Sequence, residues 1–379
     1  MVTSAIAEQA SSRTGWRFSL LVSLPLRVFY SGVGALFGLY LPVNWQLVRS
    51  NALTETVPIP DHSLHYLLLG IWGRFDTLWY LHIARYGYDR PDAVVFFPLY
   101  PCLIRVLSFL IQPLAAALLL ASLGAFFLFW GFQALLKSDV ESDQLGKSVL
   151  VYAIWPSSFI FFAGYPESLL LALILWSLYF AKNERWFLSV ALAIAAELTK
   201  AVGVIIALPL FVMGIRSRKS GAWSVLLTPL GALAFPTWVR WSGRGAISFV
   251  YEQYWRTTPS APWTTLLVAV KHLVARPDAL LVFNFAFLII ICAFVGLSRV
   301  RLEYKLFAVA TIAVVLCKAT TPPLQSMMRY VLMVFPAFVG MGQTMGRSDG
   351  TKLAWVLAGT VFAFNLALLW LFLGWSLIL

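Results

Sequence analysis

ALLVFNFAFLIIICAFVGLS, residues 279–298, decides the fold class. The run holds no charged side chain and is bounded by Asp278 and Arg299. Its length matches the ~20 apolar residues that an α-helix needs to cross a bilayer. Strands of a membrane barrel would alternate apolar and polar residues instead, so a helical membrane protein is expected. Comparable segments recur outward from it, at roughly 18–43, 114–136, 148–165, 167–181, 186–199, 201–215, 221–239, 305–318, 328–346 and 353–377.

The bulk composition agrees. Of 379 residues, 60% are hydrophobic and 12% charged, against about 25% charged in ordinary soluble domains. A water-soluble enzyme and a disordered or fibrous chain are both excluded. The 16 tryptophans suit a protein with much of its mass at membrane interfaces. Cys102, Cys292 and Cys317 are scattered, odd in number and set mostly among apolar residues, so they read as small hydrophobes without a disulfide framework.

Basic residues punctuate every second gap: Lys137/Lys147, Lys182/Arg185, Arg216/Arg218/Lys219, Arg299/Arg301/Lys305 and Arg347/Lys352. Setting these, with Arg13 and Arg17, in the cytoplasm gives a consistent alternation of about eleven spans (nine to thirteen), with a retained first helix, a cytoplasmic N-terminus and an outward C-terminus. The expected fold is an all-α polytopic membrane protein forming a single domain over 1–379. Several segments are shorter than a full crossing, and breaks near Gly164–Glu167 and Thr199–Lys200 suggest short helices that meet.

Two long outer segments follow from this topology, 44–97 and 240–277, both rich in Trp, Tyr and Arg. Long ordered loops carry function or pack as interfacial helices, which are expected in 44–97. The net charge is +12, and half of the 28 Lys and Arg residues fall in or near the outer half. That excess fits attraction to anionic lipid headgroups, or a site for an anionic substrate such as a lipid phosphate.

The chemistry-bearing stretch is Trp72-Gly-Arg74-Phe75-Asp76-Thr77-Leu-Trp79-Tyr80-Leu-His82-Ile83-Ala84-Arg-Tyr86-Gly87-Tyr88. From Asp76 onward, Trp79, Tyr80, Ile83 and Tyr86 share one helical face, and Gly87 terminates the helix. Asp76 has two readings: an N-cap for a helix beginning at Thr77, worth about 1 kcal/mol, or a base beside an aromatic wall that binds a sugar.

Other candidates have paired readings as well. Glu167, in Gly164-Tyr165-Pro166-Glu167-Ser168, is either a functional intramembrane acid or a residue bonded to backbone amides above the bilayer. Glu197 and Lys200 stand at i, i+3 and can pair with each other. The run Phe249-Val-Tyr251-Glu252-Gln253-Tyr254-Trp255-Arg256 suits sugar hydroxyls with phosphate, or an interfacial belt. Arg329, where Met327-Met328-Arg329-Tyr330 opens a helix that ends at Phe335-Pro336, either snorkels to headgroups or binds phosphate. Asp89 and Asp92 could bind a divalent metal, but a D-x-x-D without His or further acids is weak support for one. No cofactor is called for, and no nucleic-acid partner is expected.

Phe75-Asp76-x-x-Trp79-Tyr80-x-x-Ile83-Ala84-x-x-Gly87-Tyr88, followed by Phe96-Phe97-Pro98-Leu99-Tyr100-Pro101, resembles the PIG-V family of multi-spanning mannosyltransferases with the GT-C fold. Tyr165-Pro166-Glu167-Ser168, Thr199-Lys200-x-x-Gly203, Phe249 to Gln253 with Trp255-Arg256, and Arg329-Tyr330 with Phe335-Pro336 follow in the family's order. The resemblance spans about residues 70–340. The chain departs from the family at Phe75, where Trp is usual, at Pro166, where Ser is usual, and at Lys200, where Arg is frequent.

The resemblance implies a GT-C-like bundle that moves mannose or a similar hexose, with inversion, on the extracytoplasmic side. The donor would be a polyprenyl- or dolichyl-phosphate monosaccharide and the acceptor a lipid-linked or other glycan. A prokaryotic member would act in the plasma membrane, a eukaryotic one in the ER. Asp76 would be the base. Arg329, Lys200 and Arg256 would hold the donor phosphate, and Trp79, Tyr80, His82, Tyr88, Glu167, Gln253, Trp255 and Tyr330 would contact sugar or acceptor. The rival readings are a transporter or flippase of lipid-linked sugars and a non-catalytic subunit. A transporter would show repeated halves with polar residues at the midplane; here no repeat is evident and the polar residues gather toward one face.

Overall fold

The computed structural model describes residues 15–50, 53, 56–345 and 351–376, without the side chains of 351–355. Arg13, Arg347 and the Lys352 side chain, expected in the cytoplasm, lie outside the described residues. Nearly all regular structure is helical, and the chain is an all-α membrane protein in composition and helix length. Among the described residues five helices are long and apolar enough to cross a membrane: Trp16–Tyr40, Pro113–Leu136, Ser220–Trp241, Ala279–Leu297 and Val356–Leu373.

The remaining apolar segments are shorter or broken. Trp186–Thr199 has 14 residues, about 21 Å at 1.5 Å per residue, against about 30 Å of hydrocarbon. The expected interruptions are present: a non-helical Gly164–Pro166 precedes the helix Glu167–Lys182, and Lys200 is extended (φ −162°) between Trp186–Thr199 and the 3-10 turns Ala201–Ile206. The segment 328–346 is not one helix. Met327–Tyr330 passes into the 3-10 turn Val331–Met333, and Phe335–Met345 starts afresh. Pro336 explains the restart, because in a first turn its missing N–H leaves no bond unmade.

Chain contacts separate into two compact units. The first takes the described residues of Met1–Gly87, Leu99–Ala172 and Gly342–Ile378, the second those of Tyr88–Pro98 and Leu173–Met341.

In the first unit, polar side chains pin apolar helices to one another. Gln133 on Pro113–Leu136 accepts from the Gly15 amide at 2.8 Å and donates to Ser19 Oγ at 2.7 Å. Asn365 on the helix Thr351–Leu373 accepts from the Tyr30 hydroxyl and donates to the Trp155 carbonyl and to Ser158 Oγ. Gly124 lies so close to the chain at Ser168 that a Cβ would stand 2.7 Å from the Leu169 nitrogen, the tight approach that small residues allow between membrane helices. As expected for 44–97, short helices occupy the segment: Trp45–Ser50, Leu64–Leu68, the 3-10 turn Gly70–Trp72 and Asp76–Tyr86.

In the second unit, Tyr88–Pro98 docks through an apolar cluster of Val94, Phe97, Phe235, Val239 and Val250. The hydrogen bond that Glu197 accepts comes from the backbone and not from Lys200. Its Oε2 accepts from the Ala232 amide at 2.7 Å, in the first turn of Leu230–Trp241, so it caps that helix from a neighbouring one. Gly231 makes this approach feasible, since a Cβ there would meet the Ile194 carbonyl at 2.7 Å. A short antiparallel ribbon joins Thr257–Pro259 to Lys318–Thr320, pairing Pro259 with Lys318.

Candidate functional site

The first unit gathers three of the sequence motifs around Asp76. Asp76 is the first residue of the helix Asp76–Tyr86 and is partly exposed. The cap position belongs to Phe75, which offers no side-chain acceptor, so the helix does not begin at Thr77 with Asp76 as its cap. Phe75 itself has φ 44° and ψ −116°. A bulky residue in that region stores about 1–3 kcal/mol of strain and persists only where its surroundings fix it.

Those surroundings are visible. The Phe75 ring packs 4.4 Å from Trp375 and 5.5 Å from Phe372, centroid to centroid. Arg74, 1% exposed, donates from Nε to the Leu373 carbonyl at 2.7 Å, from Nη1 to Gly73 and Gly70 carbonyls, and from Nη2 to the Tyr66 hydroxyl at 2.9 Å. Leu373 ends its helix, so Arg74 sits where a cation is favoured by the helix dipole. Arg27 is likewise occupied, by the Phe162 carbonyl at 2.6 Å. These two arginines belong to the fold and drop out of the supposed anion-binding surplus.

The Gly164–Ser168 stretch packs onto the same helix start. The Asp76 amide donates to the Tyr165 hydroxyl at 3.3 Å, and Gly164 lies against the Thr77 side chain. Glu167 is 1% exposed, and the buried Tyr100 donates its hydroxyl to the Ala117 carbonyl at 2.9 Å. Tyr100 in turn meets Tyr80 edge-on at 5.0 Å. Trp79 and Tyr80 are buried, so the aromatic face of the helix is largely packed inside the unit. His82 is half-buried, its ring 5.1 Å from Tyr86.

The second unit holds a cluster of cations. Lys318 donates to the Tyr330 hydroxyl at 2.7 Å, and its Nζ stands 3.9 Å from that ring's centroid. Lys200 Nζ lies 5.2 Å and Arg329 Cζ 5.5 Å from the same centroid. Arg329 is buried, whereas the two lysines and Tyr330 are half-buried. Lys200, Lys318 and Tyr330 line a cavity of about 290 Å³ whose other walls include Ala201, Val202, Val314 and Val315, with Ser248, Tyr251, Thr257 and Thr258. Two ammonium groups and several apolar side chains thus line the same cavity. Such a shape suits an amphiphilic anion, because fixed ammonium groups and apolar walls serve the two halves of one molecule.

Local chain geometry places these groups. Gly203 folds back on the helix end at Ala196, and a side chain there would run into the Ala196 carbonyl; Lys200 therefore sits at a sharp reversal. Lys318 is fixed by the ribbon opposite Pro259. The sequence had offered one signal for it, a lysine directly after an apolar run.

Other expected site residues are not among those lining the cavity. Arg256 is exposed, ends the helix Ile247–Trp255 in a left-handed conformation (φ 47°) and is not among the lining residues. Gln253 is exposed. Trp255 donates to the Asp92 carbonyl at 3.2 Å, and the Tyr88 hydroxyl donates to the Phe96 carbonyl at 2.7 Å, so both polar tips brace the 88–98 segment. The Asp92 carboxylate is forked by Arg90 at 2.8 and 3.0 Å. No family model matches the chain, and no curated protein matches it.

Proposed function

We propose that the chain is an integral-membrane inverting glycosyltransferase of the GT-C type, similar to the PIG-V mannosyltransferases. It would move mannose or a similar hexose from a polyprenyl- or dolichyl-phosphate monosaccharide to a lipid-linked or glycan acceptor outside the cytoplasm. The observation that carries this reading is the cavity of the second unit, where Lys200, Lys318 and Tyr330 face apolar walls with Arg329 close by. A lipid phosphate is the chemistry that such a surface recognises.

The residues divide the reaction by role. Asp76 accepts the proton of an acceptor hydroxyl as its oxygen attacks the anomeric carbon. The bond from that carbon to the phosphate oxygen breaks, and the polyprenyl phosphate leaves with the electron pair. A phosphate is already a good leaving group, so no protonation is required. Fixed cations stabilise a developing charge of this kind, and Lys200, Lys318 and Arg329 are such groups in the second unit.

The test is sugar transfer by the purified chain in detergent, from radiolabelled mannosyl-phospho-polyprenol to lipids extracted from the native membrane. Product formed without a sealed bilayer supports an enzyme. Donor binding with no product, together with donor movement across vesicles, would establish a transporter instead.

A further inference from the structure

The strongest unexplained feature outside the cavity is the left-handed peptide at Phe75, one residue before the proposed base. Two anchors fix it from both sides. Arg74 is tied to the Leu373 carbonyl, and the Phe75 ring is wedged against Phe372 and Trp375. Trp375 is fully buried, and the Arg74 guanidinium lies 5.8 Å from its ring centroid. The turn carrying Trp375 is itself held, since the Asn44 amide donates to the Gly374 carbonyl at 3.0 Å. On the far side, the Asp76 amide reaches the Tyr165 hydroxyl, and the Tyr165 ring packs on Phe372 at 5.8 Å.

Phe372 therefore touches both the residue before Asp76 and the residue that receives its amide. Thr77 N–H donates to the Arg74 carbonyl at 3.0 Å, closing the turn between the anchors. A helix that began here without these contacts would relax Phe75 to an ordinary negative φ and rotate the first turn.

We infer that the end of the helix Thr351–Leu373 and the Gly374–Trp375 turn form a clamp that positions Asp76, with Arg74, Phe75, Phe372 and Trp375 as positioning residues. The inference rests on Asp76 being the base. A carboxylate on the first residue of a short helix is aimed by the peptide that precedes it, and near-attack geometry tolerates little displacement.

The test compares the full chain with Phe75→Gly, Arg74→Lys, Trp375→Ala and Trp375→Phe in detergent. Glycine adopts the Phe75 backbone without strain, so Phe75→Gly keeps the turn while deleting the wedge. Two readouts are taken on the same samples: hydrogen exchange of amides 74–80, and kcat and KM for transfer from mannosyl-phospho-polyprenol. Exchange at Asp76 and Thr77 is expected to speed up about tenfold or more in Phe75→Gly and Trp375→Ala. In these variants and in Arg74→Lys, kcat is expected to fall by about 10²-fold at unchanged donor KM. Trp375→Phe should recover most of what Trp375→Ala loses.

Unchanged exchange in Phe75→Gly and Trp375→Ala overturns the clamp, and faster exchange with wild-type kcat overturns its positioning role. If the wild-type chain transfers no sugar, that failure belongs to the glycosyltransferase reading; the exchange data still decide whether the clamp exists.

Discussion

Lys318 donates to the Tyr330 hydroxyl at 2.7 Å while standing 3.9 Å from the centre of the same ring. One phenol thus fixes an ammonium group at the edge of a cavity that Lys200 also lines. Replacing Lys318 by Met keeps the aliphatic stem and removes the charge. A hydrogen bond to a charged group contributes about 1.5–3 kcal/mol, so undecaprenyl phosphate should bind roughly ten- to hundredfold more weakly. Arg256→Ala, at an exposed position that does not line the cavity, should change affinity by about threefold at most. Equal losses in the two variants, measured by equilibrium binding in detergent, would remove Lys318 from the phosphate site.

Gly203 sets the position of Lys200. A Cβ there would collide with the Ala196 carbonyl, and would come within 2.8 Å of the Glu197 nitrogen. Both are backbone atoms and cannot rotate away. Gly203→Ala should therefore displace the reversal after Thr199, lower the thermal midpoint and weaken undecaprenyl phosphate binding together. An alanine variant that binds as tightly as the wild type would show that the reversal does not place Lys200.

Glu197 caps a neighbouring helix. Its Oε2 receives the Ala232 amide at 2.7 Å. Glu197→Gln retains a carbonyl oxygen for that bond and should unfold near the wild-type temperature. Glu197→Ala leaves the amide without its acceptor and should lose about 0.5–2 kcal/mol, the usual cost of a missing cap. Thermal unfolding in detergent with both variants checks this, and equal midpoints would contradict it.

Much of the architecture was readable from residue order. The apolar runs around 113–136 and 279–297 identify themselves, because no charged residue interrupts them for a full crossing. The breaks at Gly164–Pro166 and Lys200 were also legible, since Gly, Pro and charged residues stand out against hydrocarbon. The number of spans was less so, because an apolar run of 14 residues does not reveal whether it crosses or packs beside a longer helix.

The site was legible by segment and obscure by contact. Asp76, Lys200 and Tyr330 could be singled out, but the bonds that hold their neighbouring residues reach across the chain. Arg74 meets Leu373 at a separation of 299 residues, and Glu197 meets Ala232 at 35. Charge alone does not distinguish Arg74 from Lys318. Burial tells them apart: Arg74 is tied to three carbonyls and a tyrosine hydroxyl of the fold, whereas Lys318 lines a cavity.

The central claim is that Asp76 accepts the proton in sugar transfer. The direct measurement is the initial rate of transfer from radiolabelled mannosyl-phospho-polyprenol to native membrane lipids, for wild type and Asp76→Asn at equal folded concentration. Asparagine keeps size and polarity but cannot take up the proton. The account predicts a rate lower by about 10²–10⁴-fold, with undecaprenyl phosphate binding and the thermal midpoint unchanged. Transfer by Asp76→Asn at the wild-type rate would contradict it.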